Sequence, residues 1–307
     1  MKSSKTSMKF FLSLIQPQDM PVPRTNPLKL MIKSQQMMLK KTHIVTLIGS
    51  FAILMTLTNA QWVQAQSQSE IVNEIEARVQ KFQSRYGIPL VYKHLVKPSG
   101  DLHFVMLTEA NYVELNTYLK LFEQEINKYP PSFFKSRNIR GIALVKRLFI
   151  QNKPAEGLYF YNHRVMFFDI LRNNHKRIAQ RHSIHHELFH MMSKQTPQYA
   201  PLNEDVWASW NQHSFQYTTN PRLSKKINPY NQYAPHEPGF VSYYAMTSVE
   251  EDKAEVFACL MQYKHKKLIH EWITKDRIMS KKVAAIKGFA FYFCSDMDTD
   301  FWNGIKN

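Results

Sequence analysis

The sequence predicts an α+β fold: a mixed sheet packed on one histidine-bearing helix, followed by a mainly helical C-terminal part. Three observations predict it. Strand-like apolar runs gather between residues 88 and 170. A helical pattern over 174–193 carries His186-Glu187-Leu188-Phe189-His190. From Val249 onward the apolar spacing is helical.

The elements follow in order. Glu70 to Tyr86 places Ile71, Ile75, Val79 and Phe82 on one helical stripe, and Ile88 to Leu95 reads as a strand. Asn111 to Lys128 turns Leu115, Leu119, Phe122 and Ile126 inward and is stopped by Pro130-Pro131. Ile142 to Ile150, Leu158 to Tyr161 and Val165 to Ile170 are strand-like, and the last reads equally as an interior strand or as an edge for an extended peptide. The motif helix starts at about Asn174, with Asn173 or Asn174 as its N-cap. Pro197 to Thr247 has no periodicity, and helices return over Val249 to Lys264 and Ile278 to Phe293. No linker rich in Gly or Ser divides residues 66–307, which read as a single domain.

The N-terminus reads as targeting rather than fold. Lys40-Lys41 precede an apolar run from Ile44 to Leu57, too short for a comfortable membrane span, and Val63-Gln64-Ala65 suits cleavage after Ala65. Residues 37–65 have the proportions of a signal peptide, and 1–36 those of a disordered leader or an over-extended start. A secreted or periplasmic chain with no stable span in its mature part is expected. The first 65 residues also inflate the formal charge of +16: they hold eight Lys or Arg and one acid, leaving 32 basic and 23 acidic residues, or +9, elsewhere. The remaining basic residues are scattered, which argues for a solvated surface and against a nucleic-acid partner. Only Cys259 and Cys294 occur, so a zinc finger or ribbon is excluded; a disulfide and two buried thiols both fit.

The chemistry starts with His186 and His190. Four residues along a helix give about 400° of rotation and about 6 Å of rise, so both imidazoles leave one face and can share one metal ion. Glu187 projects beside that ion, where it can take a proton from water. A third ligand is sought in Thr247-Ser248-Val249-Glu250-Glu251-Asp252-Lys253-Ala254-Glu255. Thr247 and Glu250 have capping-box spacing. Ala254, Phe257, Ala258 and Met261 form a buried stripe, and Glu251 falls on or beside it. A carboxylate turned toward a core is costly unless paired or metal-bound. Glu251 is therefore the first candidate ligand, Glu255 an orienting group or the reserve ligand, and Glu250 and Asp252 weaker ones. His182 and His185 read as surface histidines or as supports for the ligands. Trp207 and Trp210 either line a cleft or anchor their loop, and His236, before Pro238-Gly239, reads as exposed or as approaching an open site from its loop.

These residues carry a resemblance. His186-Glu187-x-x-His190 followed by a Glu on a later helix is similar to the gluzincin group of metallopeptidases. Tyr244, Glu251 and Ala254-Glu255 resemble the catalytic domain of anthrax lethal factor. The string GFVSYYAMTSVEEDKAEVFACLM, with Trp207, Asn211, Phe215 and Tyr217 before it, resembles a family of secreted zinc-binding metallopeptidases over about residues 140–265. The resemblance implies a zincin-like fold and one zinc ion held by His186, His190 and Glu251. It also implies Glu187 as general base and Tyr244 as a phenol that stabilises the oxyanion, with Tyr243 competing. The expected activity is hydrolysis of a peptide or protein. Two other readings are a metal-binding envelope or interaction protein without turnover, and a hydrolase of non-peptide or cell-wall amides.

Overall fold

The computed structural model describes residues 37–38, 68–93, 100–134, 139–218 and 238–305. The expected leader over 1–36, most of the expected signal segment 37–65 with its expected cleavage position, and His236 lie outside the described residues.

Helix α1 covers residues 68–86 and buries Ile75, Val79 and Phe82, as its stripe requires. Helix α2 (Tyr112–Ile126) buries Leu115, Leu119, Phe122 and Ile126. The strands are β1 (Leu90–Val91), β2 (Leu102–Val105), β3 (Gly141–Ile150), β4 (Lys153–Pro154), β5 (Gly157–Phe160) and β6 (Val165–Asp169). They form one mixed sheet in the order β1-β3-β6-β5, with β2 and β4 also paired to β3. β3 runs parallel to β1 and β6, with Ile142 opposite both Leu90 and Met166. β5 is antiparallel to β6.

Both faces of β3 are covered, which explains its unbroken buried run Ile142-Ala143-Leu144-Val145. Ile142 and Leu144 join the main core, while Ala143 and Val145 meet Leu102, Leu148 and Phe167 on the other face. β6 is interior and β5 takes the end of the sheet path, so the edge reading of residues 165–170 is corrected. The strand expected over 88–95 is observed only at Leu90–Val91. β2, β4 and the short helices were not anticipated, because runs of two to six residues carry little periodicity.

Helix α3 (Arg177–Gln195) holds the H-E-x-x-H segment and packs on α2, β5 and α5. It starts three residues later than the spacing suggests. Asn173 is left-handed (φ 54°), a conformation Asn tolerates, and its side chain bonds Glu156, so it shapes the turn and does not cap the helix. Helix α4 is Glu204–Ala208, α5 Val249–Leu260, α6 Tyr263–Trp272, α7 Arg277–Phe293 and α8 Thr299–Gly304. The 249–264 segment is thus divided, with Gln262 as the N-cap of α6. None of the helices among the described residues is long and apolar enough to cross a membrane.

Candidate metal centre

The apolar side of α3 fixes where its polar side points. Ile184, Leu188, Phe189, Met191 and Met192 are at most 1% exposed. Each stabilises the fold by about 1.5–3 kcal/mol through burial. His186 and His190 leave the helix one turn apart, with Nε2 atoms 3.0 Å from each other. Glu251 arrives from the first turn of α5, where Ser248 caps the helix by accepting from the Glu251 amide at 3.2 Å. The cap is therefore Ser248 and not Thr247, whose hydroxyl donates to the Tyr244 carbonyl. With its backbone fixed, Glu251 places Oε2 2.9 Å from His186 Nε2 and 3.5 Å from His190 Nε2.

The tautomer of His186 shows what this arrangement fits. Nδ1 of His186 lies 3.0 Å from Glu255 Oε1, so a proton on Nδ1 bonds that carboxylate and Nε2 is the nitrogen that would ligate a metal. Nε2 faces Glu251 Oε2 at 2.9 Å, and with no metal bound the Glu251 and Glu255 carboxylates hold the His186 pKa well above its usual value against burial. Donor atoms of His186, His190 and Glu251 thus converge within 4.8 Å of one another. Protons hold these groups together when no metal is bound; a cation can replace them, and two imidazoles with one carboxylate suit zinc. In the metal-free chain the imidazoles outweigh the cost of burial and hold the Glu251 carboxyl well below its usual range.

Glu255 is shared. Its Oε1 also lies 2.6 Å from His182 Nε2, and its Oε2 accepts from Ser242 Oγ at 2.7 Å. Ser242, which the sequence did not single out, accepts in turn from the Ala245 amide. Glu187 is buried, and Oε2 accepts from the Tyr159 amide of β5 at 2.9 Å. Burial raises its pKa against the pull of His190 and His186. Gly157 makes this approach possible: a Cβ there would lie 2.5 Å from Glu187 Cγ. The Tyr244 ring lies 5.8 Å from that of His186; the residue is 41% exposed overall, yet desolvation on its site side, then Glu251, raises the phenol's pKa and keeps it protonated.

Other candidates serve the scaffold. His185 is fully buried between the Tyr129 hydroxyl at 2.7 Å and Glu125 at 2.8 Å, and His182 is 3% exposed; neither is a surface histidine. Trp207 is buried and donates to Asp252 Oδ2 at 2.8 Å, as does Tyr217. It anchors its loop, and Trp210 packs on it. Asp252 also pairs with the fully buried Lys282 at 2.7 Å, so the residue beside Glu251 is locked into the core. The signal for Lys282 was its place on the apolar stripe Met279, Val283, Ile286 and Phe289 of α7. Glu250 pairs with Lys194 at 2.5 Å. Cys259 and Cys294 are separate buried thiols, so the disulfide alternative is set aside.

No curated protein matches the sequence. A solved structure described as a putative zinc-binding metallo-peptidase from Bacteroides caccae aligns at 17% identity and a TM-score of 0.49, covering 77% of this chain and 91% of that one. The model of the family described as putative zinc-binding metallo-peptidase matches residues 79–289. The chain therefore belongs to that family of zinc-binding metallo-peptidases.

Proposed function

We propose that this chain is an exported, zinc-dependent metallopeptidase of the gluzincin type, with a zincin-like fold, that hydrolyses peptide bonds in peptides or proteins. The observation that carries the reading is the convergence of His186 Nε2, His190 Nε2 and Glu251 Oε2 beside the buried Glu187 carboxylate. Those three residues would hold one zinc ion. When bound, zinc lowers the pKa of a coordinated water toward about 7 and polarises a carbonyl oxygen.

The chain's own groups do the rest. Glu187, held by the Tyr159 amide, accepts the proton of the attacking water and delivers it to the leaving amine. Its raised pKa suits both transfers. The protonated phenol of Tyr244 donates to the oxyanion as the carbonyl becomes tetrahedral. A site that only stored metal would have no use for a buried base in this position. Export rests on Lys40-Lys41, the apolar run 44–57 and the small residues before Gln66.

The test is zinc content together with cleavage of an unfolded protein, for the wild type and Glu187→Gln. The reading expects bound zinc in both and cleavage only in the wild type. Equal cleavage by both, or none by a zinc-loaded wild type against a broad peptide library, contradicts it.

A further inference from the structure

We propose that His182, Cys259 and His265 form a second metal site, distinct from His186, His190 and Glu251, that takes a thiophilic ion of the zinc class. The three come from α3, α5 and α6, and one ligand atom of each lies within 4.8 Å of the others. Vertices of a tetrahedral zinc site with Zn–S of about 2.3 Å and Zn–N of about 2.0–2.1 Å are roughly 3.3–3.7 Å apart. Small side-chain adjustments close that gap.

The surroundings favour a cation there. His182 and Cys259 are 3% and 5% exposed. His182 Nε2 is engaged by Glu255 at 2.6 Å, which assigns its proton to Nε2 and leaves the Nδ1 lone pair as the donor. With no metal bound, Nδ1 lies 3.0 Å from the Gln262 side-chain nitrogen, a hydrogen bond that metal binding would replace. His265, from the first turn of α6, is half-buried and supplies the second imidazole of the cluster. Binding releases the Cys259 thiol proton to solvent and forms a metal–thiolate bond. Two imidazoles and one thiolate select a thiophilic ion over magnesium or calcium.

The two sites meet at one carboxylate. Glu255 Oε1 faces both His186 Nδ1 and His182 Nε2, so it orients a ligand of each ion through the nitrogen opposite the metal. Cys259 follows Glu255 by four residues on α5, one turn along the same face.

The test is titration of the metal-stripped full-length protein with Co²⁺, read by absorption. The wild type is expected to bind two equivalents and to show a thiolate-to-cobalt charge-transfer band in the near ultraviolet. Only a sulfur ligand produces that band. Cys259→Ser should abolish the band and one equivalent while peptide cleavage persists. Glu251→Gln should retain the band, and His265→Ala should weaken the band-forming site by about 10–100-fold. A wild type that binds one equivalent with no band overturns the proposal, whatever the variants do. A band that survives in Cys259→Ser also overturns it.

Discussion

Glu255 Oε1 sits 3.0 Å from Nδ1 of His186, so the imidazole that faces Glu251 with one nitrogen is held by a buried carboxylate through the other. This contact fixes the ring plane and the tautomer together. Glu255→Gln keeps the size and loses the charge, and should weaken zinc binding by about 10–100-fold. Competition with a chelator of known affinity checks this; unchanged affinity would remove Glu255 from its supporting role.

Gly157 and Glu187 are related by space alone. A methyl group at 157 would lie 2.5 Å from Glu187 Cγ and 3.0 Å from Ser183 Oγ, so Glu187 must move to admit it. Gly157→Ala should therefore retain zinc and a cooperative unfolding transition while kcat falls by about 10²-fold or more, since a displaced base loses its reach. Full activity in a folded Gly157→Ala protein would show that Glu187 tolerates displacement.

Lys282 and Asp252 make the buried ion pair that anchors the start of α5. Both side chains are fully buried, and Trp207 and Tyr217 donate to the same carboxylate oxygen. Lys282→Met leaves that charge uncompensated and should cost about 3–5 kcal/mol of unfolding free energy in a denaturant titration. A loss below about 1 kcal/mol would mean that the two indole and phenol donors suffice.

Tyr244 should act on the transition state more than on binding. Tyr244→Phe removes one donor, and kcat should fall by about 10²–10³-fold with KM little changed. A rise in KM at constant kcat would instead make the phenol a contact for bound substrate.

Much of this was legible in the sequence for a simple physical reason: long helices repeat their apolar residues often enough to be read. α1, α2, α3 and α7 lie close to where their stripes put them, and the spacing of His186, Glu187 and His190 needs only helical geometry. Glu251 was legible because an acid beside the stripe of α5 demands a partner. What escaped depends on contacts between segments far apart in sequence. Nothing local marks β5 instead of β6 as the end of the sheet path, or brings Ser242 to Glu255. The cap of α5 was misplaced by one residue because Thr247 and Ser248 are both good caps, and only the fold decides which hydroxyl meets an amide. For His182 and His185 the sequence leaves surface and supporting roles open, because their partners, Glu255 and Glu125, lie more than 50 residues away.

The most direct measurement is an anomalous difference map, at the zinc absorption edge, from crystals of the protein grown with zinc. The expected result is a peak ligated by His186 Nε2, His190 Nε2 and Glu251 Oε2, with Glu187 beside it and not bound. A zinc-saturated crystal with no peak among these three residues, and with Glu251 Oε2 hydrogen-bonded to protein, would contradict it.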